Sequence, residues 1–325
     1  MTAPPDSIQL VSSQGALLHG THRFAHHAMA TTFEILIHHG DATYAQQAAW
    51  EAFRLLDQLE QELSRFIDNS DISRINNLPA RQPLPLGLAA FDCLDQCAKL
   101  SAETGGAFDI TIGPLLDCWQ NEDHTGRSPS EEELEQARQR TGTHLYQLNA
   151  AEHTVELLAS PVHIDLGGFG KGYAVDQLAE LLHEWSIDAA LIHGGSSSVL
   201  ALGAPPGTSG WPLTLSHPAN RQKRLAHIDL RDRALSGSGL EKGPHIIDPR
   251  SGRPVDGVLA SWASAPTAAI ADALSTAFMV MTPGEVAAYC QGHPDSMALL
   301  VLEAGAVGDN IVCSGPWESI GRLTL

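Results

Sequence analysis

The stretch from Ile164 to Asp176, Ile-Asp-Leu-Gly-Gly-Phe-Gly-Lys-Gly-Tyr-Ala-Val-Asp, reads as the join of a strand ending in a carboxylate to a helix through a glycine-rich turn that carries one lysine. Glycines let a backbone approach a ligand closely, and the first amides of the following helix lack intrahelical partners. The helix dipole adds partial positive charge at the same point, so the turn suits an anion, and Lys171 would add a full charge. Ala174, Val175, Leu178, Leu181, Leu182 and Trp185 repeat at helical spacing behind the glycines, which places the turn at a helix N-terminus. The segment is neither a P-loop, since no Ser or Thr follows Lys171, nor a G-x-G-x-x-G fingerprint. A tight structural connection is the competing reading of such a glycine cluster.

A phosphate ligand would need that local cation, because the chain carries a formal net charge of −19 over 325 residues. Such a charge repels nucleic-acid backbones and anionic membranes, so neither is an expected partner. With 43% hydrophobic and 18% charged residues, the composition is that of a globular protein with a sizeable core. The five cysteines form no C-x-x-C pair and read as reduced thiols, Cys93 and Cys97 at core-packing spacing. No segment approaches the ~20 apolar residues of a membrane span. The N-terminus has no basic region followed by an apolar run, so the chain as given reads as cytoplasmic, with a removed export signal or lipid anchor as the open alternative.

Residues 1–20, with Pro4-Pro5, read as a loose lead-in to one domain over 21–325. Thr32 to His38 alternates as a strand, and Asp41 caps a helix whose stripe runs from Ala49 to Phe66. A second helix is expected from Leu88 to Thr104, stopped by Gly105-Gly106. Ser128-Pro129 and three glutamates predict a further helix start. Strands are expected over Thr154 to Asp165, Ala189 to Gly203, Leu225 to Leu230, Met297 to Glu303 and Asn310 to Cys313, and a helix over Ala268 to Met281. This mixture predicts an α+β fold with mixed, largely antiparallel sheets flanked by helices.

Asp272 and Thr276 lie four apart, so on a helix their oxygens face one way and can share a hard cation such as Mg²⁺. The same spacing fits a buried Asp capping a neighbour and a Thr bonded to its own helix. His245-Ile246-Ile247-Asp248-Pro249-Arg250-Ser251-Gly252 adds a histidine and an arginine around an Asp-Pro turn. Histidines at 22, 26, 27, 38 and 39 lack the carboxylate or cysteine spacing of a zinc site.

Taken in order, seven segments resemble the FAD:protein FMN transferase family, also called ApbE. They are Met29 to Glu34; Ser64 to Asn76 as S-x-F-x-x-x-S-x-I-x-x-x-N; Ala107 to Leu115; the Asp165 glycine turn; Gly194-Gly195; His245 to Gly252; and Ala271 to Thr276. The resemblance implies an ApbE-like fold and a Mg²⁺-dependent enzyme. Such an enzyme moves FMN from FAD to a threonine or serine hydroxyl of an acceptor flavoprotein and releases AMP. It further implies that Met29, Phe66, Ala107, Phe108, Asp109, Asp165, Lys171 and Ile246 line the FAD site. Asp272, Thr276 and a backbone carbonyl of the turn, that of Gly168, would hold the metal. His245 is then the candidate proton acceptor, since an imidazole titrates near neutrality.

Four departures from the family pattern stand out: Ser196-Ser197-Ser198 after the paired glycines, no Asp or Asn followed by Tyr in Leu235 to Gly239, a short connection from there to His245, and Phe66 in place of a frequent tyrosine. Two alternatives share the motifs. One is a Mg²⁺-dependent FAD pyrophosphatase giving FMN and AMP, the other a flavin-binding protein without catalysis.

Overall fold

Alternation at Thr31–His38 produces a strand in the computed structural model, with Phe33, Ile35 and Ile37 fully buried. The structure describes residues 11–13, 19–119, 126–240, 246–305 and 308–324. They divide into two compact units, residues 1–57, 171–243 and 257–325, and residues 58–170 and 244–256.

The first unit is built on an eight-stranded sheet whose strands follow chain order: Thr21–Ala28, Thr31–His38, Ala190–Gly194, Ser198–Leu202, Arg233–Gly239, Val258–Ala265, Met297–Gly305 and Gly308–Ser314. Every strand pairing among the described residues is antiparallel. A smaller sheet orders Val11–Ser13, Trp211–His217, Asn220–Leu230 and Gly321–Leu323. Val11–Ser13 thus gives the lead-in a paired strand, in register with Leu215 to Leu213.

Because side chains alternate across a strand, each strand of the large sheet serves two neighbours. Leu191, Val199, Leu235, Trp262 and Leu299 pack against Trp211, Leu213, Leu215 and Ile228 of the smaller sheet. Truncating the fully buried Trp262 to Ala would cost ~3–5 kcal/mol. The opposite positions Ser198, Ser236, Ser238 and Ser261 bond to helix Ala268–Val280.

The second unit combines a three-stranded sheet of Pro83–Pro85, Thr154–Leu157 and Tyr146–Asn149 with helices Asp71–Asn76, Leu88–Glu103, Gly113–Cys118 and Glu131–Arg138. Helix Leu88–Glu103 ends as expected: Gly105 and Gly106 take φ of 59° and 77°, and Gly106 N–H returns to Ser101 O at 2.8 Å. Helix Ala42–Leu63 starts where Asp41 Oδ1 accepts the amides of Thr43 and Tyr44 at 2.8 and 3.1 Å.

Two expectations shift. The helix after Pro129 is capped by Ser130, not Ser128: Ser130 Oγ accepts the amide of Glu133 while the Glu133 carboxylate accepts the amide of Ser130, a reciprocal capping box that fixes the start one residue past Pro129. The strand expected to run to Asp165 stops at Leu157. Pro161 offers no amide, and the chain beyond it is held by other means: Ile164 exchanges two hydrogen bonds with the Asn76 side chain, at 2.7 and 3.0 Å, and Asp165 N–H donates to Ile110 O at 2.7 Å. That holds the acidic start of the glycine turn as a loop pinned by two other motifs.

Candidate active site

The glycine turn becomes helix Gly170–Glu184, and in the first unit Lys171 begins a polar cluster centred on Asp272. Asp272 is 3% exposed. Its Oδ1 accepts the hydroxyls of Ser198 and Ser236 at 3.0 and 3.2 Å. Its Oδ2 accepts Gly172 N–H at 3.1 Å and lies 3.6 Å from Lys171 Nζ. A buried carboxylate without such donors would carry a large desolvation cost, so the serines, the amide and the ammonium make the charge tenable.

Thr276 lies one helical turn on. Its Oγ1 is 3.4 Å from Asp272 O and 3.4 Å from Ser238 Oγ, while Ser238 Oγ also meets Ser275 Oγ at 2.8 Å. One reading of the Asp272–Thr276 spacing has a direct counterpart here: the Thr bonds its own helix.

The Met29 motif forms the tip of the hairpin between the first two strands of the same sheet. Met29 and Ala30 take φ of 50° and 57°, a left-handed pair that costs non-glycine residues ~1–2 kcal/mol each. Beside the hairpin, Gly195 has φ 71°, and a Cβ there would lie 2.7 Å from Thr31 Oγ1, so the Met29 and Gly194-Gly195 segments meet where only glycine fits.

In the second unit, three motifs converge on Asp165. Its Oδ1 accepts Gly167 N–H at 2.7 Å and its Oδ2 lies 3.3 Å from Arg65 Nε. The Arg65 guanidinium sits 4.6 Å from the ring centre of Phe66, and Phe66 is 80% exposed. Ala107, Phe108 and Asp109 are buried. Burial raises the Asp109 pKa, opposed by the hydroxyl and amide of Thr111, which donate to its Oδ1 at 2.6 and 2.8 Å. Gly168 lies in the turn itself. Arg65 also lines a pocket of about 570 Å³ with Asn76, Arg127, Arg140 and His163.

His245 lies outside the described residues. Its neighbour Ile246 is buried and accepts Val255 N–H at 3.0 Å, leading into strand Ile247–Asp248, paired with Arg253–Pro254. The Asp248 carboxylate accepts the Arg250 amide and Nε at 2.9 and 3.1 Å.

Ser198 and Ser236 are the site residues that sequence reasoning missed. Ser236 and Ser238 alternate along one strand, which is the one local sign that their hydroxyls share a face. Among the described residues no group of three or more His, Cys, Asp or Glu side chains could hold a metal ion. No helix among them is long and apolar enough to cross a membrane.

Comparison with known proteins identifies the family. The chain is 31% identical over 247 residues to the FAD:protein FMN transferase of Escherichia coli K12, covering 70% of this chain and 69% of that protein. It is 29% identical over 272 residues to the enzyme of the same name from Salmonella typhimurium, covering 78% and 76%. Among solved structures, the ApbE protein of Thermotoga maritima superposes with a TM-score of 0.82 at 26% identity, covering 93% of this chain and 99% of that one. The apo flavinyl transferase ApbE of Pseudomonas stutzeri gives 0.81 at 25% identity, covering 92% and 96%. The sequence profile of the ApbE family matches residues 29–301, a span that takes in the Met29 hairpin, the Asp165 turn and the Asp272 helix alike, and the chain belongs to that family.

Proposed function

We propose that this protein transfers FMN from FAD to a serine or threonine hydroxyl of an acceptor flavoprotein, releasing AMP. The observation that carries the reading is the buried Asp272 carboxylate, one turn before Thr276 and 3.6 Å from Lys171 at a helix N-terminus, in a chain whose relatives bear that activity as their name. The donors around Asp272 and Thr276 are hard oxygens, which fit Mg²⁺ and offer nothing to a thiolate- or imidazole-seeking metal. With the Gly168 carbonyl they form the proposed metal set. Magnesium, when bound, supplies charge neutralisation on the pyrophosphate oxygens.

The chain's own groups do the rest. Lys171 and the first amides of helix Gly170–Glu184 attract and orient the phosphates. Phe66 offers an open aromatic face for the isoalloxazine ring, while Met29, Ala107, Phe108, Asp109, Asp165 and Ile246 complete the FAD site. In the transfer step the acceptor hydroxyl oxygen forms a bond to the FMN phosphorus. The anhydride P–O bond breaks, its electron pair leaves with AMP, and the hydroxyl proton passes to His245. His245→Ala should then slow transfer ~10²–10⁴-fold at saturating FAD, read by single-turnover kinetics.

Incubation with FAD and Mg²⁺, with and without an acceptor flavoprotein, tests the reading. FMN bound covalently to the acceptor, with AMP formed and both lost in chelator, is the expected result. AMP and free FMN in equal yield whether or not the acceptor is present would make the protein a pyrophosphatase instead.

A further inference from the structure

Helix Ala268–Val280, which carries Asp272 and Thr276, is capped twice. Its own Thr267 accepts the amide of Ile270 at 3.3 Å, an ordinary N-cap. The two preceding amides are taken by a side chain from another helix: Asp176 Oδ1 accepts Ala268 N–H at 2.6 Å and Oδ2 accepts Ala269 N–H at 2.8 Å. Ala268 and Ala269 are almost fully buried, so neither amide has water as a substitute partner.

Asp176 sits one helical turn after Gly172. Gly172 is where the two helices touch, since a Cβ there would lie 2.2 Å from Ala268 O. Its amide is also the donor to Asp272 Oδ2 at 3.1 Å. Along one helix, then, Lys171 and Gly172 meet the carboxylate of Asp272 while Asp176 grips the start of the helix that bears it. Two hydrogen bonds from consecutive amides to the two oxygens of one carboxyl group restrict both sliding and rotation of that helix, which the single bond from Thr267 does not.

We propose that Asp176 is a positioning residue for the transfer reaction: its two-oxygen grip on Ala268 and Ala269 sets the axial position of helix Ala268–Val280, and so fixes where the Asp272 and Thr276 oxygens are presented to a divalent cation. The proposal rests on the reading of Asp272 and Thr276 as metal ligands. Asparagine at position 176 retains one acceptor oxygen and turns an N–H₂ group toward the other amide. The helix is then held by one bond and pushed by the other. Thr267→Ala removes a cap of the same helix without touching the grip, and serves as the comparison.

The test is binding of Mn²⁺, used as the probe cation and followed by its electron paramagnetic resonance signal, together with thermal unfolding in chelator, for the wild type, Asp176→Asn, Thr267→Ala and Asp272→Asn. The expected result is a ~10-fold or greater weakening of Mn²⁺ binding in Asp176→Asn, against less than a twofold change in Thr267→Ala, with both variants folded in chelator. The Mg²⁺ concentration giving half-maximal transfer should rise by the same factor in Asp176→Asn, while KM for FAD at saturating Mg²⁺ stays within about threefold. Asp176→Glu, which keeps both oxygens on a longer arm, should recover part of the affinity that asparagine loses.

If Asp272→Asn abolishes Mn²⁺ binding while Asp176→Asn binds as the wild type does, the positioning role is wrong and the metal reading stands. Wild-type affinity in Asp272→Asn would instead remove the metal reading on which the proposal is built. Equal losses in Asp176→Asn and Thr267→Ala, in proportion to their loss of thermal stability, would reduce Asp176 to a structural cap.

Discussion

Asp272 and Asp165 are both carboxylates beside the glycine turn, and they are held in opposite ways. Asp272 is buried and takes donors from three strand or helix elements besides its own, two of them strand serines. Asp165 lies on an irregular segment, paired with Arg65 and the amide of Gly167, and the aromatic ring next to Arg65 is 80% exposed. The Asp272 cluster is organised by packed strands and helices of the first unit. The Asp165 segment of the second unit offers an open ring beside a partly buried ion pair. In an enzyme that must stabilise charge on phosphate oxygens this division is sensible: preorganised dipoles and charges act most strongly where charge develops.

The sharpest way to break the contrast is Asp272→Ala. Turnover should fall by ~10³-fold or more, because the carboxylate proposed to hold the metal is lost, yet the fold should persist. Ser198 and Ser236 remain 3.1 Å apart and can bond each other. Circular dichroism and a transfer assay check both halves, and normal turnover would contradict the assignment of Asp272.

The first unit also carries His193, buried, whose pKa burial pushes down to about 4. Protonation favours the unfolded chain, so the stability this residue contributes is present above pH 6.5 and is lost as pH falls toward 4. The loss amounts to ~3 kcal/mol. Denaturant unfolding of wild type and His193→Leu between pH 7 and pH 4 should give a slope in the wild type that the variant lacks in part. Parallel slopes would mean that His193 titrates normally.

Smaller still is the effect expected of Ser198→Ala and Ser236→Ala. A hydrogen bond to a buried charge contributes ~1.5–3 kcal/mol, and each serine shares Asp272 Oδ1 with the other. Each single variant should therefore lose ~1 kcal/mol of stability and the pair more than twice that. Equilibrium unfolding measures it, and strict additivity would argue against a shared acceptor.

Phe66→Ala is the mildest. An exposed ring contributes within ~0.5 kcal/mol to folding, so stability should not move while KM for FAD rises ~3–10-fold. A large drop in melting temperature would place Phe66 in the core and dissolve the contrast with Asp272.

Much of the fold was legible in the sequence where burial writes a period. Phe33, Ile35 and Ile37 alternate, and helix Ala42–Leu63 shows its Asp41 cap and its stripe as far as Leu63, past which Phe66, expected on the same stripe, lies outside the helix and exposed. The Asp272–Thr276 spacing and the turn glycines were visible for the same local reason. Ser198 and Ser236 were not, because their bonds to Asp272 join residues 74 and 36 positions apart and exist only once sheet and helix pack. The strand expected through Asp165 failed because composition does not reveal that Asn76 and Ile110 satisfy that backbone. Asp176 read as one more polar helical residue, since nothing local announces that its oxygens cap a helix 92 positions away.

The central claim is that this site moves FMN to a protein hydroxyl rather than to water. Intact-mass measurement of an acceptor flavoprotein after reaction with FAD, Mg²⁺ and this protein, with AMP quantified in the same sample, tests it most directly. The account predicts one FMN per acceptor and one AMP per FMN attached, abolished when the acceptor hydroxyl residue is replaced by alanine. An acceptor of unchanged mass beside accumulating AMP and free FMN would contradict it.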